Sequence, residues 1–235
     1  IALIVRLKAA LAQAQKPPAD PGPDMLKLLD APEAWAKLGA AGKLWILGEA
    51  AKTDPERVIE VLELLRYNYV NTDNELALQQ LLAKCYQQVG RIDAALEAYQ
   101  MVIKRFIQSK AAGEAALKIG RMETERGNYA AARELLEGIL QRNEWRGRMH
   151  ADALLGIGRA YAAEGKYSEA HGFFERIILG YPGFPKQLAM GCYEDIQVLK
   201  QMNDTESVQM VYEAFKLTPG LEDTRGAALI RKEFE

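Results

Sequence analysis

The sequence predicts an all-α protein, a superhelix of about five stacked helical hairpins with a further helix at each end. Three observations predict this fold. Apolar residues make up 49% of the 235 residues, which is enough for a substantial core. The glycines Gly90, Gly127 and Gly165 recur 37 and then 38 residues apart. Around each of them, small and bulky apolar residues return at the same offsets, as in chains whose units stack on their neighbours.

The repeating unit is predicted to hold two helices of about a dozen residues each, joined by a glycine turn. Glycine supplies the positive φ that ends the first helix. A small residue in each helix allows a close approach, and bulky residues at i, i+3 and i+4 spacings fill the space around it. The small residues are Ala83, Gly120 and Gly158 in the first helices and Ala95, Ala132 and Ala170 in the second; the bulky ones include Tyr99, Leu136 and Phe174.

Three repeating units are clear and two are eroded. The clear units are 76–107, 113–144 and 151–182. We predict eroded hairpins at 39–70, where Trp45 and Leu62 keep the spacing, and at 189–219, where Asp195 occupies a core position. The predicted repeat domain spans 24–235 and includes a helix within 24–38 that leads into the array.

The two ends of the chain are predicted to differ from the repeats. Residues 1–15 form an amphipathic N-terminal helix, because Arg6 and Lys8 interrupt the apolar run that a signal peptide would need. The sequence KPPADPGP at 16–23 is a proline-rich, extended linker. Residues 221–235 form a C-terminal helix that caps the apolar end of the stack.

This pattern resembles the tetratricopeptide repeat (TPR). Units 76–107 and 113–144 depart from it at their last position, where Ile107 and Glu144 replace proline. The long period and the Tyr-Pro pair at 181–182 are similar to repeats of bacterial cell-envelope proteins. The resemblance implies a right-handed α-solenoid whose first helices line a concave groove that binds a protein. Unit 151–182 carries the most motif residues: Leu154, Ile157, Gly158, Tyr161, Ala170, Phe174, Ile177 and Pro182.

Composition and motifs argue against several classes of function. Thirty basic residues against thirty-two acidic ones leave a net charge of −2, so no nucleic-acid partner is expected. No apolar run is long enough for a membrane-spanning helix. Motifs typical of nucleotide binding, metalloproteases and nucleophile elbows do not occur. We therefore expect a protein that is not an enzyme and has no cofactor and no metal.

The cysteines and histidines are predicted to be structural. Cys85 and Cys192 lie far apart and outside any metal-ligand spacing, so we expect both to be small buried apolar residues. His150 and His171 have no cysteine or second histidine at ligand spacing. They are predicted to be surface or interhelical residues.

The candidate partner-binding site is a basic stripe on the groove face of the first helices. The ninth position of each clear unit carries a cation: Lys84, Arg121 and Arg159. The alternative is that this position is an ordinary exposed one, where lysine and arginine are common. A clamp for a C-terminal carboxylate, which some TPR proteins build with asparagines together with lysine and arginine, is not expected here, because Leu81 and Gly156 stand at inner positions. Residues predicted to surround the stripe are Gln80, Gln87, Gln88, Leu117 and Leu155.

The segment QRNEWRGR at 141–148 has two interpretations. In the first, it is a basic and aromatic patch that binds a phosphate or nucleic-acid partner. In the second, Trp145 packs across a long junction between two units while the arginines stay in water. The second interpretation is favoured.

The function predicted from these observations is a protein–protein interaction scaffold or adaptor that binds a peptide or helix, an acidic one in particular, in the groove. The alternative is a self-associating structural component, a homo-oligomer formed by exchange of the N-terminal helix. The sequence leaves the compartment open between a bacterial periplasm or cell envelope and a cytoplasm.

Overall fold

The computed structural model describes residues 27, 29 and 32–234. Every regular element within 32–234 is helical, which confirms the all-α fold. The helix predicted at 1–15 and the linker predicted at 16–23 lie outside the described residues. The chain divides into two compact units, one that ends at Phe106 and one that begins at Ile107. None of the described helices has the length and apolar character needed to cross a membrane.

The first unit holds a short helix followed by two helical hairpins. Asp54 begins the second helix of the first hairpin by accepting a hydrogen bond from the backbone N–H of Arg57, 3.0 Å away. The helices are α1 (Pro32–Ala36), α2 (Ala40–Ala50), α3 (Pro55–Tyr69), α4 (Glu75–Gln88) and α5 (Ile92–Arg105).

The second unit holds three hairpins and a final helix that packs on the last of them. Ser109 and Asp204 begin two of its helices by the same side-chain capping. The hairpins are α6 (Lys110–Glu125) with α7 (Tyr129–Leu140), α8 (Arg148–Ala163) with α9 (Tyr167–Gly180), and α10 (Pro185–Gln201) with α11 (Thr205–Leu217). A 3₁₀ turn, Asn143–Trp145, precedes α8, and α12 (Arg225–Phe234) ends the unit.

The glycine turns have the predicted backbone conformation. Gly90, Gly127 and Gly165 have φ of +76°, +83° and +81°. Asn203, 38 residues after Gly165, takes the same place between α10 and α11 with φ +58°, a conformation that asparagine tolerates better than most residues. In all four turns the next backbone N–H bonds to the carbonyl five residues earlier, at N–O distances of 2.8–3.0 Å, which is the Schellman ending of a helix.

The close approach of paired helices also agrees with the prediction. A Cβ added to Gly120 would lie 2.7 Å from Leu136, and one added to Gly158 would lie 2.5 Å from Phe174. Neither distance is possible between real atoms without a shift. Ala132 is fully buried. Small residues in one helix therefore receive the bulky side chains of the next.

Each hairpin of the second unit contributes buried apolar side chains. Phe174 is fully buried among residues of α8, α9 and α10. Farther along, Ile230 and Ala227 of α12 are buried against α10 and α11. The rings of Tyr212 and Phe234 stack at 4.1 Å between centroids. The final helix therefore covers the apolar side of the last hairpin.

Candidate interaction surface

The two arginines of the predicted stripe lie on neighbouring first helices of the second unit. Arg121 is exposed on α6, and Arg159 is exposed on α8, which packs against both α6 and α10. Each arginine is held by a glutamate. Arg121 Nε lies 2.8 Å from Glu125 Oε1 one turn along the same helix, and Arg159 Nη2 lies 2.6 Å from Glu194 Oε1 on α10. The side chain of Arg121 nevertheless remains 67% exposed.

Glu194 is a residue that the sequence analysis missed. It follows Arg159 by 35 residues, and Gln187 follows its own partner Asp152 by the same interval. Both pairs join a first helix to the first helix of the next repeat. A polar pair separated by slightly less than one repeat period is therefore the sequence signal that could have identified Glu194.

The two apolar residues assigned to this surface differ in exposure. Leu117 on α6 is half-buried. Leu155 on α8 is only 8% exposed and packs in the cluster that contains Ala170 and Phe174. Leu155 therefore contributes mainly to the core and offers little area to a ligand.

The remaining candidate residues lie on α4 in the first unit. Lys84 and Gln88 are exposed, and Gln80 is half-buried. The hydroxyl of Tyr99 donates to Gln87 Oε1 over 3.4 Å, which orients that amide toward α5. Among the described residues no carboxylate forms an ion pair with Lys84. A stripe that joins Lys84 to the arginines of the second unit stays a prediction.

The structure agrees with the favoured interpretation of segment 141–148 for its tryptophan. It contradicts that interpretation for one of the three arginines. Trp145 is buried, and its ring contacts the position of Gly113 on α6. Arg146 and Arg148 are exposed, as expected. Arg142 is not left in water: its guanidinium lies 4.5 Å above the Trp145 ring, and Nη1 donates to the carbonyl oxygen of Ile107 at 2.8 Å. Since the ring is covered, it cannot stack on a base.

Comparison with known families agrees with this arrangement. A tetratricopeptide repeat model matches residues 81–144, and a second one matches residues 123–190. The chain is a tetratricopeptide repeat protein. Its family is one of non-catalytic scaffolds for protein–protein interaction. No curated protein matches the sequence.

Solved structures show the same fold for this TPR protein. A kinesin light chain-like protein of Podosopora anserina with nearly identical TPR-like repeats is 18% identical, with a TM-score of 0.59 over 77% of this chain and 97% of the other. A crystal structure of MamA is also 18% identical, with a TM-score of 0.54 over 80% of this chain and 95% of the other. At these identities the likeness extends to the fold alone.

The histidines of the TPR protein both bond within the fold. His150 is buried, and its Nε2 donates to the carbonyl oxygen of Arg142 at 2.9 Å. His171 on α9 places Nδ1 2.7 Å from Asp195 Oδ1 on α10. The prediction of an interhelical histidine is therefore confirmed for His171. Burial raises the pKa of Asp195 to about 6, against the opposing effect of His171.

Both cysteines lie in surroundings that make their thiols unreactive. Cys85 and Cys192 are both buried, as predicted. Burial raises the pKa of Cys85 to about 11 and that of Cys192 to about 12, so both are thiols at neutral pH and are poor nucleophiles. Within the part of the chain that the structure describes, no group of three His, Cys, Asp or Glu side chains could hold a metal ion.

Proposed function

We propose that this TPR protein is a scaffold or adaptor that holds a peptide or helix of another protein in the concave groove of its repeats. One observation carries the proposal. The ninth position of each clear unit presents an exposed cation, Lys84, Arg121 or Arg159, directly after a buried small residue. Arg121 and Arg159 lie on neighbouring first helices of the second unit, which suits a partner that runs along these repeats.

The chemistry of the proposed site favours an acidic or phosphorylated partner. An exposed ion pair such as Arg121–Glu125 contributes only about 0–1 kcal/mol. A carboxylate or phosphate of the partner can therefore replace the glutamate at low cost. Arginine also binds both kinds of anion through two parallel hydrogen bonds. Gln80 and Gln88 supply amide groups for the partner's backbone, whereas Tyr99 holds the amide of Gln87 toward α5.

Charge reversal tests the groove proposal. We expect replacement of Lys84, Arg121 and Arg159 by glutamate to abolish capture of the physiological partner, and added salt to weaken capture by the unchanged protein. The partner is first identified by mass spectrometry after capture and is then purified for binding measurements. The matched control replaces three exposed basic residues of second helices by glutamate: Lys104, Arg176 and Lys216. Undiminished binding by the groove variant, with its helicity intact, would remove the groove from consideration.

A second candidate function is self-association through the N-terminal helix. The observation that favours it lies on α3, where Leu64 is 78% exposed and Tyr67 is 79% exposed. Glu56 and Glu60 are exposed on the same face of that helix. The helix predicted at 1–15, with an apolar face and a basic margin, would be complementary to this surface in both hydrophobicity and charge.

A further inference from the structure

A row of four basic side chains follows the N-terminal ends of alternate helices in the second unit. Lys110 begins α6, Arg148 begins α8, Lys186 is the second residue of α10, and Arg225 begins α12. They lie 38, 38 and 39 residues apart, close to the repeat period of 37 or 38 residues. All four are exposed. We call these four residues the basic row.

Packing contacts place the four helix ends side by side. A Cβ added to Gly113, in the first turn of α6, would collide with Sδ of Met149 in the first turn of α8. Gln187 near the start of α10 donates from Nε2 to Asp152 Oδ1 on α8 at 2.8 Å. A Cβ added to Gly226, the second residue of α12, would collide with the backbone of α10. The basic row therefore runs along one edge of the second unit.

Basic residues at these positions oppose the electrostatic preference of a helix. The N-terminal end of a helix carries partial positive charge, so acidic residues are favoured there and basic ones are not. The first turns of α6, α8, α10 and α12 contain no acidic residue, whereas two of the three second helices, α9 and α11, carry Glu169 and Glu206 there and α7 carries none. Residues placed against local preference are typical of functional surfaces.

Nearby carboxylates leave the basic row largely free. Among the described residues, no carboxylate forms an ion pair with Lys110, Lys186 or Arg225. Arg148 Nε has one contact of 4.0 Å, with Asp152, and its side chain is 64% exposed. The other acidic groups along this edge, Glu114 of α6 and the Glu222–Asp223 pair before α12, are exposed as well. The cations are therefore available to a ligand.

We propose that the basic row binds an extended, carboxylate-rich segment of a partner protein at these helix ends, about 16 Å along α6 and α8 from Arg121 and Arg159. Packed helices lie about 8–10 Å apart, and an extended peptide advances about 3.3 Å per residue. An acidic residue at every third position therefore meets one cation after another. A single-stranded nucleic acid would need exposed aromatic rings to stack on, and Trp145 beside the row is covered by Arg142. These observations favour a peptide.

The test measures fluorescence anisotropy with a labelled peptide of about twelve residues that carries glutamate at every third position among glycine and serine. Charge reversal of the whole basic row by K110E, R148E, K186E and R225E should weaken binding about tenfold or more. The melting temperature should stay the same or rise, because glutamate suits these helix ends. The corresponding four glutamine substitutions should weaken binding to a smaller degree. A matched control makes the same change in net charge at four exposed cations outside the row, by K118E, K166E, R176E and K232E.

Several results would overturn the proposal. The proposal is wrong if the basic-row variants bind the peptide with unchanged affinity. It is also wrong if the control variant loses as much affinity as they do, because binding would then depend on net charge alone. A lower melting temperature for the basic-row variants would mean that these cations stabilise the fold. Tighter binding of inorganic polyphosphate, single-stranded DNA or phosphatidylserine vesicles would reject the peptide as the ligand. The groove variant should keep its affinity for the peptide; if it alone loses affinity, the basic row is not the site.

Discussion

At the scale of single residues, the carboxyl group of Asp195 is buried, and one of its oxygens has no hydrogen-bond partner. Burial is the main cause of its raised pKa of about 6, Glu175 adds to the effect, and His171 opposes it. Because the folded-state pKa exceeds the unfolded value of about 3.9, folding favours the protonated carboxyl. This contribution to stability is fully present below the unfolded value and is lost as pH rises through about 6.

We predict that Asp195→Asn gains stability over the unchanged protein as pH rises. Asparagine keeps an acceptor for His171 and never ionises, so the difference in the free energy of unfolding should grow by about 2 kcal/mol between pH 4 and pH 8. Urea denaturation at both pH values measures it. The exposed Asp223→Asn serves as control and should show no such growth. A difference that stays constant with pH would contradict the burial of an ionisable group at Asp195.

At the scale of elements, the α8–α9 hairpin depends on a small residue at the helix contact. Gly158 faces the ring of Phe174, whereas Gly172 on α9 has no atom within 4 Å of a Cβ built on it. We predict that Gly158→Ala destabilises the protein by about 1–3 kcal/mol through overpacking. Gly172→Ala should stabilise it by about 1 kcal/mol, because alanine is the better helix former. Thermal melts of both variants measure these effects. Equal changes in melting temperature would mean that the repeat register is wrong.

The hairpins themselves were largely predictable, because their signals are local and repeated. The turn glycines and the small residues at 120 and 158 follow directly from the period. The turn at Asn203 does not follow from the recurrence of glycine, although asparagine also adopts positive φ. The basic row does not follow from the repeat pattern, because units that begin at 113 and 151 start three residues inside the helices that begin at Lys110 and Arg148.

The interaction surface was less predictable, because its partners are distant in sequence. The helical period correctly indicates that Arg121 and Arg159 are exposed. It does not indicate that Glu194 on the next first helix holds Arg159, since that contact depends on how consecutive repeats stack. The burial of Leu155 has the same cause: side chains of α9 and α10 close over it.

At the scale of the whole molecule, we predict concentration-dependent self-association that disappears when residues 1–23 are deleted. The helix predicted at 1–15 would be marginal alone in water, and its apolar face would need a surface such as that of Leu64 and Tyr67. Size-exclusion chromatography with light scattering measures the mass of both forms. As a control, Leu64→Glu with Tyr67→Glu should prevent association of the intact chain. A chain that stays monomeric at about 100 µM, well above the micromolar range of a weak specific contact, would exclude helix exchange.

The central claim is that the first helices hold the partner. Site-specific photo-crosslinking tests it most directly. A photoreactive residue is placed in turn at 84, 121 and 159, and at three exposed positions that share one place in the second helices, Gln100, Glu137 and Glu175. Adducts are then identified by mass spectrometry. The account predicts that one partner protein crosslinks at the first-helix positions and at none of the second-helix positions. Crosslinks to that partner from the second helices alone would contradict it.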